Sequence, residues 1–370
     1  MQKDILKSTL IQKKIIQGII TMAVREIISR RLCLAIITLS IYLFSSFAWS
    51  SAISHALDRS SLLIKNSGNV VLLDAAQIGD DIIAVGERGI IVLSNDGGES
   101  WRQVPTPVSV TLTAVSFADE NNGYVVGHGG TVLKTSDGGE TWTRKLDGNQ
   151  VAKLALAAAK SQGNELAIRD AEWLVSDGPD KPFLDVLTKD KNNAVVIGAY
   201  GLAFQTSDGG NTWTSWIDRL ANSTGMHLYS IRSKDNRILI AGERGLVRLS
   251  NDSGNHFIVL DTSYTGSFFT SELTQDNRIV VAGLRGNTLE SRDSGASWTI
   301  LKIPMDASIT ASTVSQDGSL LLTNQAGFLF KVLNGNTSVI NKKPLPSLNG
   351  VLLKKDGALL TLSAFGTSLL

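Results

Sequence analysis

An eight-residue phrase recurs along the chain, and a fixed repeat constrains a fold more than any other sequence signal. It runs from Ser94 to Trp101, from Thr135 to Trp142 and from Thr206 to Trp213, with looser copies from Ser250 to Phe257 and from Ser291 to Trp298. The common frame is Ser/Thr-x-Asp-x-Gly-x-x-Trp/Phe. Asp96, Asp137, Asp208, Asp252 and Asp293 are its carboxylates, and Trp101, Trp142, Trp213 and Trp298 are its indoles. These residue types make a tight turn. Asp and Ser/Thr oxygens accept backbone N–H groups a few residues on, and Gly supplies a positive φ. The aromatic residue then opens a strand and buries a large apolar area. Five equivalent catalytic acids would be redundant, so the aspartates are read as structural.

Ten residues before each aspartate stands a Gly-x-x-Gly turn: Gly86/Gly89, Gly127/Gly130, Gly198/Gly201, Gly242/Gly245 and Gly283/Gly286. A degraded sixth copy has Asn324/Gly327, and in a seventh unit Ser363 and Gly366 take the glycine places. Between the turns lie apolar runs of strand length, such as Asp81–Val85, Ile90–Leu93, Ala194–Ile197 and Leu320–Leu322. Each unit therefore reads as strand A, polar turn, strand B, Gly-x-x-Gly turn, strand C, Asp phrase, strand D. Four short antiparallel strands repeated every forty-odd residues make a β-propeller blade. The expectation is an all-β, seven-bladed propeller over residues 60–370. Its seventh unit stops near strand C, and the strand-like Ser61–Lys65 is expected to supply the missing outer strand and close the ring.

Parity of the meander places the Asp phrases on one face and the Gly-x-x-Gly turns on the other. The second set carries a recurrent charge. Units 1 and 4 both read Gly-Glu-Arg-Gly, with Arg88 and Arg244, and unit 5 holds Arg285; His128 and Tyr200 stand near the corresponding places in units 2 and 3. Equivalent positions in a ring converge, so these five residues are the candidate partner-binding set. Arg suits bidentate capture of carboxylates and stacking on aromatics. The alternative is that Glu87 and Glu243 neutralise the neighbouring arginines in solvated turns. An insertion of about thirty residues, 151–181, separates units 2 and 3. Val151–Lys160 and Glu165–Val175 are rich in helix formers, with Gly163 between them. It shares the arginine face, either as a binding element or as an excursion that packs Leu154, Leu166 and Trp173 onto the rim.

The N-terminal 52 residues read as an extension and signal peptide. Arg30 and Arg31 precede an apolar run, Leu32–Phe47, that is short for a membrane span, and small residues allow cleavage after Ser50 or Ala52. An uncleaved anchor is the alternative. The pair of arginines partly matches a twin-arginine signal, and Met22 is the expected true start. An exported, periplasmic protein follows. Residues 1–31 hold seven basic and two acidic residues; the rest of the chain holds 28 and 32, near −4, which argues against nucleic acid as a partner. The only cysteine, Cys33, permits no internal disulfide, and the four histidines show no ligand spacing. No nucleotide fingerprint or nucleophile elbow is present, so no cofactor, metal or catalytic residue is expected.

The phrases are BNR/Asp-box repeats. Combined with the preceding Val-Gly-x-x-Gly turns, they resemble the photosystem II stability/assembly-factor-like family over about residues 60–370. That resemblance implies a monomeric, non-enzymatic propeller that binds a membrane-protein subunit during assembly, in the thylakoid lumen if the host is an oxygenic phototroph. It also implies a basic patch, matched here by Arg88, Arg244 and Arg285 and incomplete in units 2, 3 and 6. Two other functions compete. One is an envelope scaffold beside a membrane transporter. The other is a sialidase-like glycoside hydrolase, which lacks here the Phe/Tyr-Arg-Ile-Pro segment and an evident pair of catalytic carboxylates.

Overall fold

The computed structural model describes residues 13, 14, 17, 18, 20–26, 28, 55–65 and 68–370. The apolar run Leu32–Phe47, Cys33 and the expected cleavage points lie outside the described residues. The chain divides into two units, Met1–Ser54 and His55–Leu370. In the first, the described residues are helical.

The second unit is built from seven antiparallel sheets. Six have four strands and the seventh has three, each a simple meander. Seven inner strands stand side by side: Leu72–Ile78, Leu112–Phe117, Phe183–Thr188, Leu228–Lys234, Phe268–Leu273, Ile309–Val314 and Leu348–Leu353. Each packs on its neighbour, and the last packs on the first. This is an all-β, seven-bladed propeller around a central channel. Its core lies between blades, because each sheet is apolar on both faces. Ile83 and Val85 of blade 1 meet Val125 and Leu133 of blade 2, and Tyr124 and Val126 meet Val196 and Phe204 of blade 3.

The Asp phrases close their turns with one recurring bond set. In blade 1 the Ser94 hydroxyl donates to Asp96 Oδ1 (2.7 Å) and accepts from the Gly98 amide (2.8 Å), while the Ser100 amide donates to Asp96 Oδ1 (2.9 Å). Blade 4 substitutes His256, whose amide and Nδ1 meet the Asp252 carboxylate at 2.9 and 2.6 Å. Hydroxyl and amide donors hold Asp208 and Asp293 down to about 2. The indoles wedge between blades. Trp142 and Trp213 are buried, and Trp101 and Trp298 are partly so.

Ring closure differs from the sequence expectation. Ser61–Lys65 adds no strand to blade 7; it lies along the outer strand of blade 1. The Ser61 amide donates to Thr106 O (3.1 Å), and Gln103 bonds Ile64 N and Leu62 O. Leu62, Leu63 and Ile64 remain exposed, whereas Leu57 is buried between blades 1 and 2 and Arg144 donates to its carbonyl. The segment 55–65 is thus a strap across two blades. Its apolar run reads as a strand, but the residue that anchors it lies upstream. The ring closes instead through packing of Leu72, Ile82 and Ala84 on Leu360 and Leu362, with Asn349 Nδ2 donating to Leu72 O (2.9 Å).

Each inner strand carries a bulge near its start, seen as a register shift between Leu72 and Asp74 and at the matching place in all seven blades. In blades 1, 3, 4 and 5 the residue after the bulge staples its blade to the next. Asp74 accepts from Val115 N (2.9 Å) and Asp185 from Ile231 N (2.8 Å); Ser230 meets Ser271 (2.9 Å) and Thr270 meets Ser312 (2.6 Å). Arg232 reaches Asp185 (2.7 Å), and Glu272 accepts from Ser312. Burial pushes Asp74 up to about 6 and raises Glu272 as well. Burial alone would lower Arg232; the carboxylates of Asp185, Glu272 and Asp74 more than offset it.

Candidate binding face

Each Gly-x-x-Gly turn is a single tight turn between strands B and C. The first glycine lies against the entry to its own inner strand: a Cβ at Gly86 would sit 1.9 Å from Val71 O, and one at Gly242 would sit 2.3 Å from His227 O. The turn thereby docks onto the bulge.

The third residue of the turn adopts the left-handed conformation. In blades 1, 3, 4 and 5 this apex is Arg88 (φ 57°), Tyr200 (57°), Arg244 (53°) and Arg285 (56°), all exposed. A non-glycine residue there costs on the order of 1–2 kcal/mol. Blade 2 alone uses glycine, Gly129 (φ 67°). The cause is crowding, since a Cβ there would meet Leu57 Cδ2 at 2.8 Å and Pro179 O at 3.2 Å. His128 precedes that apex and so occupies the place of Glu87 and Glu243. It is exposed, one residue off the slot that the sequence reading gave it.

The three apical arginines are not neutralised. Among the described residues no carboxylate lies within ion-pair distance of Arg88, Arg244 or Arg285, whereas Arg102, Arg144, Arg232 and Arg278 are all paired. Glu243 faces His227 instead: its Oε2 accepts from the His227 amide (3.1 Å) and lies 3.5 Å from His227 Nδ1. The alternative of Glu–Arg pairs within the turns therefore does not hold for Glu243.

Sequence reasoning missed several residues of this face. In blade 7 the apex place falls on Phe365, exposed by 73%, which follows from the Ser363/Gly366 frame. Tyr229 and Phe269 are the extra residues of the bulges in blades 4 and 5, half-buried where the inner strands leave this face. Bulges re-aim side chains in this way. With Tyr200 and His227 they form a continuous aromatic tract, with centroid separations of 5.0, 6.1 and 5.4 Å along Tyr200, His227, Tyr229 and Phe269. Tyr200 is held from both sides. Its amide donates to His227 Nδ1 (3.1 Å), and Lys181 Nζ lies 5.2 Å from its ring centroid.

The insertion forms α1 (Gly148–Gln162) and α2 (Glu165–Asp177). A capping box of Asp147 and Gln150 starts α1, and Gly163 ends it in the left-handed conformation (φ 66°). Val151, Ala155 and Ala159 bury against Phe183 and Trp213. Leu154 joins that core, whereas Leu166 (63%) and Trp173 (58%) stay exposed.

Comparison with known proteins places this geometry in context. Among solved structures, a YCF48 bound to a D1 peptide shares 17% identity over 86% of this chain and 97% of its own, with a TM-score of 0.61. YCF48 from Cyanidioschyzon merolae shares 16% over 84% and 98%, also with a TM-score of 0.61. A GH74 xyloglucanase from Xanthomonas campestris shares 12% over 84% of this chain and 53% of its own, with a TM-score of 0.60. At such identities the likeness is one of fold. No curated relative matches the sequence. The family model described as photosynthesis system II assembly factor YCF48 matches residues 98–176 and 167–340, more than half of the chain. On that match, the chain belongs to the YCF48 family of photosynthesis system II assembly factors.

Proposed function

We propose that this protein is a non-enzymatic, exported, monomeric module that holds a subunit of a membrane-protein complex during assembly, and that it does so through the face of the Gly-x-x-Gly turns. One observation carries the reading: three exposed arginines stand on one face at left-handed apices, free of any described carboxylate. Unpaired guanidinium groups on a rigid ring invite a ligand that brings its own carboxylates. Family membership supports an assembly role, and the relative solved with a D1 peptide supports a membrane-protein subunit as the partner class. In an oxygenic phototroph that partner would be a photosystem II reaction-centre subunit met in the thylakoid lumen. In other hosts it would be met in the periplasm.

The non-enzymatic reading is supported by how the channel carboxylates are used. Asp74 and Asp185 accept backbone amides of the next blade, and Glu272 accepts a serine hydroxyl, so they serve as staples. The test is crosslinking in the native membrane with the wild type and an Arg88→Ala/Arg244→Ala/Arg285→Ala variant. The wild type is expected to crosslink to a subunit of a membrane complex and the variant to lose it. Equal crosslinking would remove the basic face from the mechanism, and turnover of a sialoside or glucan by purified protein would overturn the non-enzymatic reading.

A further inference from the structure

The arginines account for only part of the face. Two apices are aromatic, Tyr200 (57% exposed) and Phe365 (73% exposed). Each is followed around the ring by an arginine apex, Arg244 after Tyr200 and Arg88 after Phe365, because blade 4 follows blade 3 and blade 1 follows blade 7. Tyr200 keeps its side chain at a left-handed apex where glycine would relieve the strain, as Gly129 does one blade earlier. The Tyr200 ring meets His227 on one side and the Lys181 ammonium on the other, and still stays 57% exposed.

From Tyr200 the aromatic tract runs through His227 to Tyr229 and Phe269, across blades 3, 4 and 5. The next two apices beside it are Arg244 and Arg285. His227 fixes the local geometry. Its Nδ1 accepts the Tyr200 amide at 3.1 Å, and its carbonyl accepts the amide of Glu243, the residue before Arg244, at 2.8 Å. The carboxylate nearest the tract, Glu243 Oε2, is occupied by the His227 amide at 3.1 Å. The tract thus lies beside the two turns that carry Arg244 and Arg285, tied to them by Glu243 N to His227 O (2.8 Å) and Leu284 N to Ser267 O (2.9 Å), and neither arginine has a carboxylate partner among the described residues.

Resting on the reading of this face as the partner site, we infer the chemistry of the segment it takes: an extended peptide in which a large apolar side chain stands beside a carboxylate. The apolar side chain seats on the Tyr200–His227–Tyr229–Phe269 tract. The carboxylate is taken by Arg244 and Arg285. Rings of this kind offer area for burial at low entropic cost, while guanidinium groups set orientation. The tract is therefore the specificity-determining half of the face.

The experiment uses four fluorescein-labelled, N-acetylated, C-amidated dodecapeptides of Gly and Ser. They carry two copies of Phe-Asp, Ser-Asp, Phe-Asn or Ser-Asn, and binding to the whole His55–Leu370 unit within the full chain is read by anisotropy at low salt. The wild type is expected to bind Phe-Asp about tenfold more tightly than Ser-Asp, the ratio from burying one large apolar side chain in part. Tyr229→Ala/Phe269→Ala is expected to erase that ratio and keep the preference for Asp over Asn. Arg244→Ala/Arg285→Ala is expected to do the reverse. The exposed Tyr200→Ala serves if the double aromatic variant fails to fold, and it is expected to lower the ratio at least threefold. Equal binding of Phe-Asp and Ser-Asp with Asp still preferred over Asn overturns this inference and leaves the binding face standing. Indifference to both changes, or no binding of any peptide, overturns both.

Discussion

Replacing the three apical arginines by glycine separates a binding role from a structural one. Arg88, Arg244 and Arg285 all hold φ between 53° and 57°. A side chain in that region costs on the order of 1–2 kcal/mol, and the added freedom of glycine in the unfolded chain returns roughly 0.5–1 kcal/mol of that. Each Arg→Gly change should therefore stabilise by about 0.5–1 kcal/mol. The sites lie in separate blades and share no described partner, so their effects should add to about 2 kcal/mol. At roughly 2–3 °C per kcal/mol for a domain of this size, the triple variant should melt about 5 °C higher. The triple alanine variant keeps the strained backbone and should melt within a degree or two of wild type. Unfolding followed by tryptophan fluorescence is suited to the comparison, since Trp142, Trp213 and Trp216 are buried. Both variants should lose the membrane-protein partner. A melting temperature several degrees below wild type for the glycine variant would refute the reasoning, because the arginines would then be holding the turns together.

Three further outcomes follow from packing and titration. Leu57→Ala should cost about 2–4 kcal/mol in urea unfolding, since Leu57 is 3% exposed in the core between blades 1 and 2, while Leu62→Ser and Leu63→Ser should change little. Gly366→Ala should unfold the ring or cost at least about 3 kcal/mol, because its Cβ would lie 1.9 Å from Gly68 O; Gly163→Ala, with open space around it, should cost only about 1 kcal/mol. Stability should fall as pH rises from about 4 to 6, because the native state binds the Asp74 proton more tightly than the unfolded chain does. It should also fall as pH drops from about 4 to 2, where the depressed Asp208 and Asp293 are forced to protonate. Asp74→Asn should reduce the upper limb to the share left by the raised Glu272 and leave the lower limb unchanged, a result read from urea midpoints across that range.

The blades were legible because their turns are written in residues with few alternative uses. Asp96, Ser94 and Gly98 make one local bond set, so their spacing carries its own geometry. Ser61–Lys65 misled because Leu62, Leu63 and Ile64 have strand composition, yet the segment is held by the Gln103 side chain and by Leu57 upstream. Long-range docking of that kind leaves no periodic trace. Tyr229 and Phe269 were hidden by the bulge, which shifts the two-residue alternation by one. Asp74 and Asp185 did leave a signal: each is the lone carboxylate of its inner strand and stands at the same register, and only alignment of blades on their bulges exposes it.

The two faces differ in what their turns demand of side chains, and that difference bears on where function can reside. On the Asp-phrase face the side chains are the turn: remove the Asp208 carboxylate and the bonds from Thr206, Asn211 and Thr212 go with it. Such positions cannot vary to suit a ligand. On the other face the backbone makes the turn, through Glu87 O to Ile90 N (3.1 Å) and its counterparts at Ala199–Leu202, Glu243–Leu246 and Leu284–Asn287. The apex side chain takes no part in those bonds and is asked only to tolerate a positive φ. Glycine meets that demand at least cost, so a preference set by folding alone would put glycine at every apex. Blade 2 has it where Leu57 and Pro179 leave no room, and the exposed left-handed apices of blades 1, 3, 4 and 5 carry arginine and tyrosine instead. Strain accepted where it could be avoided, by side chains aimed at solvent, is what a surface selected for contact would retain.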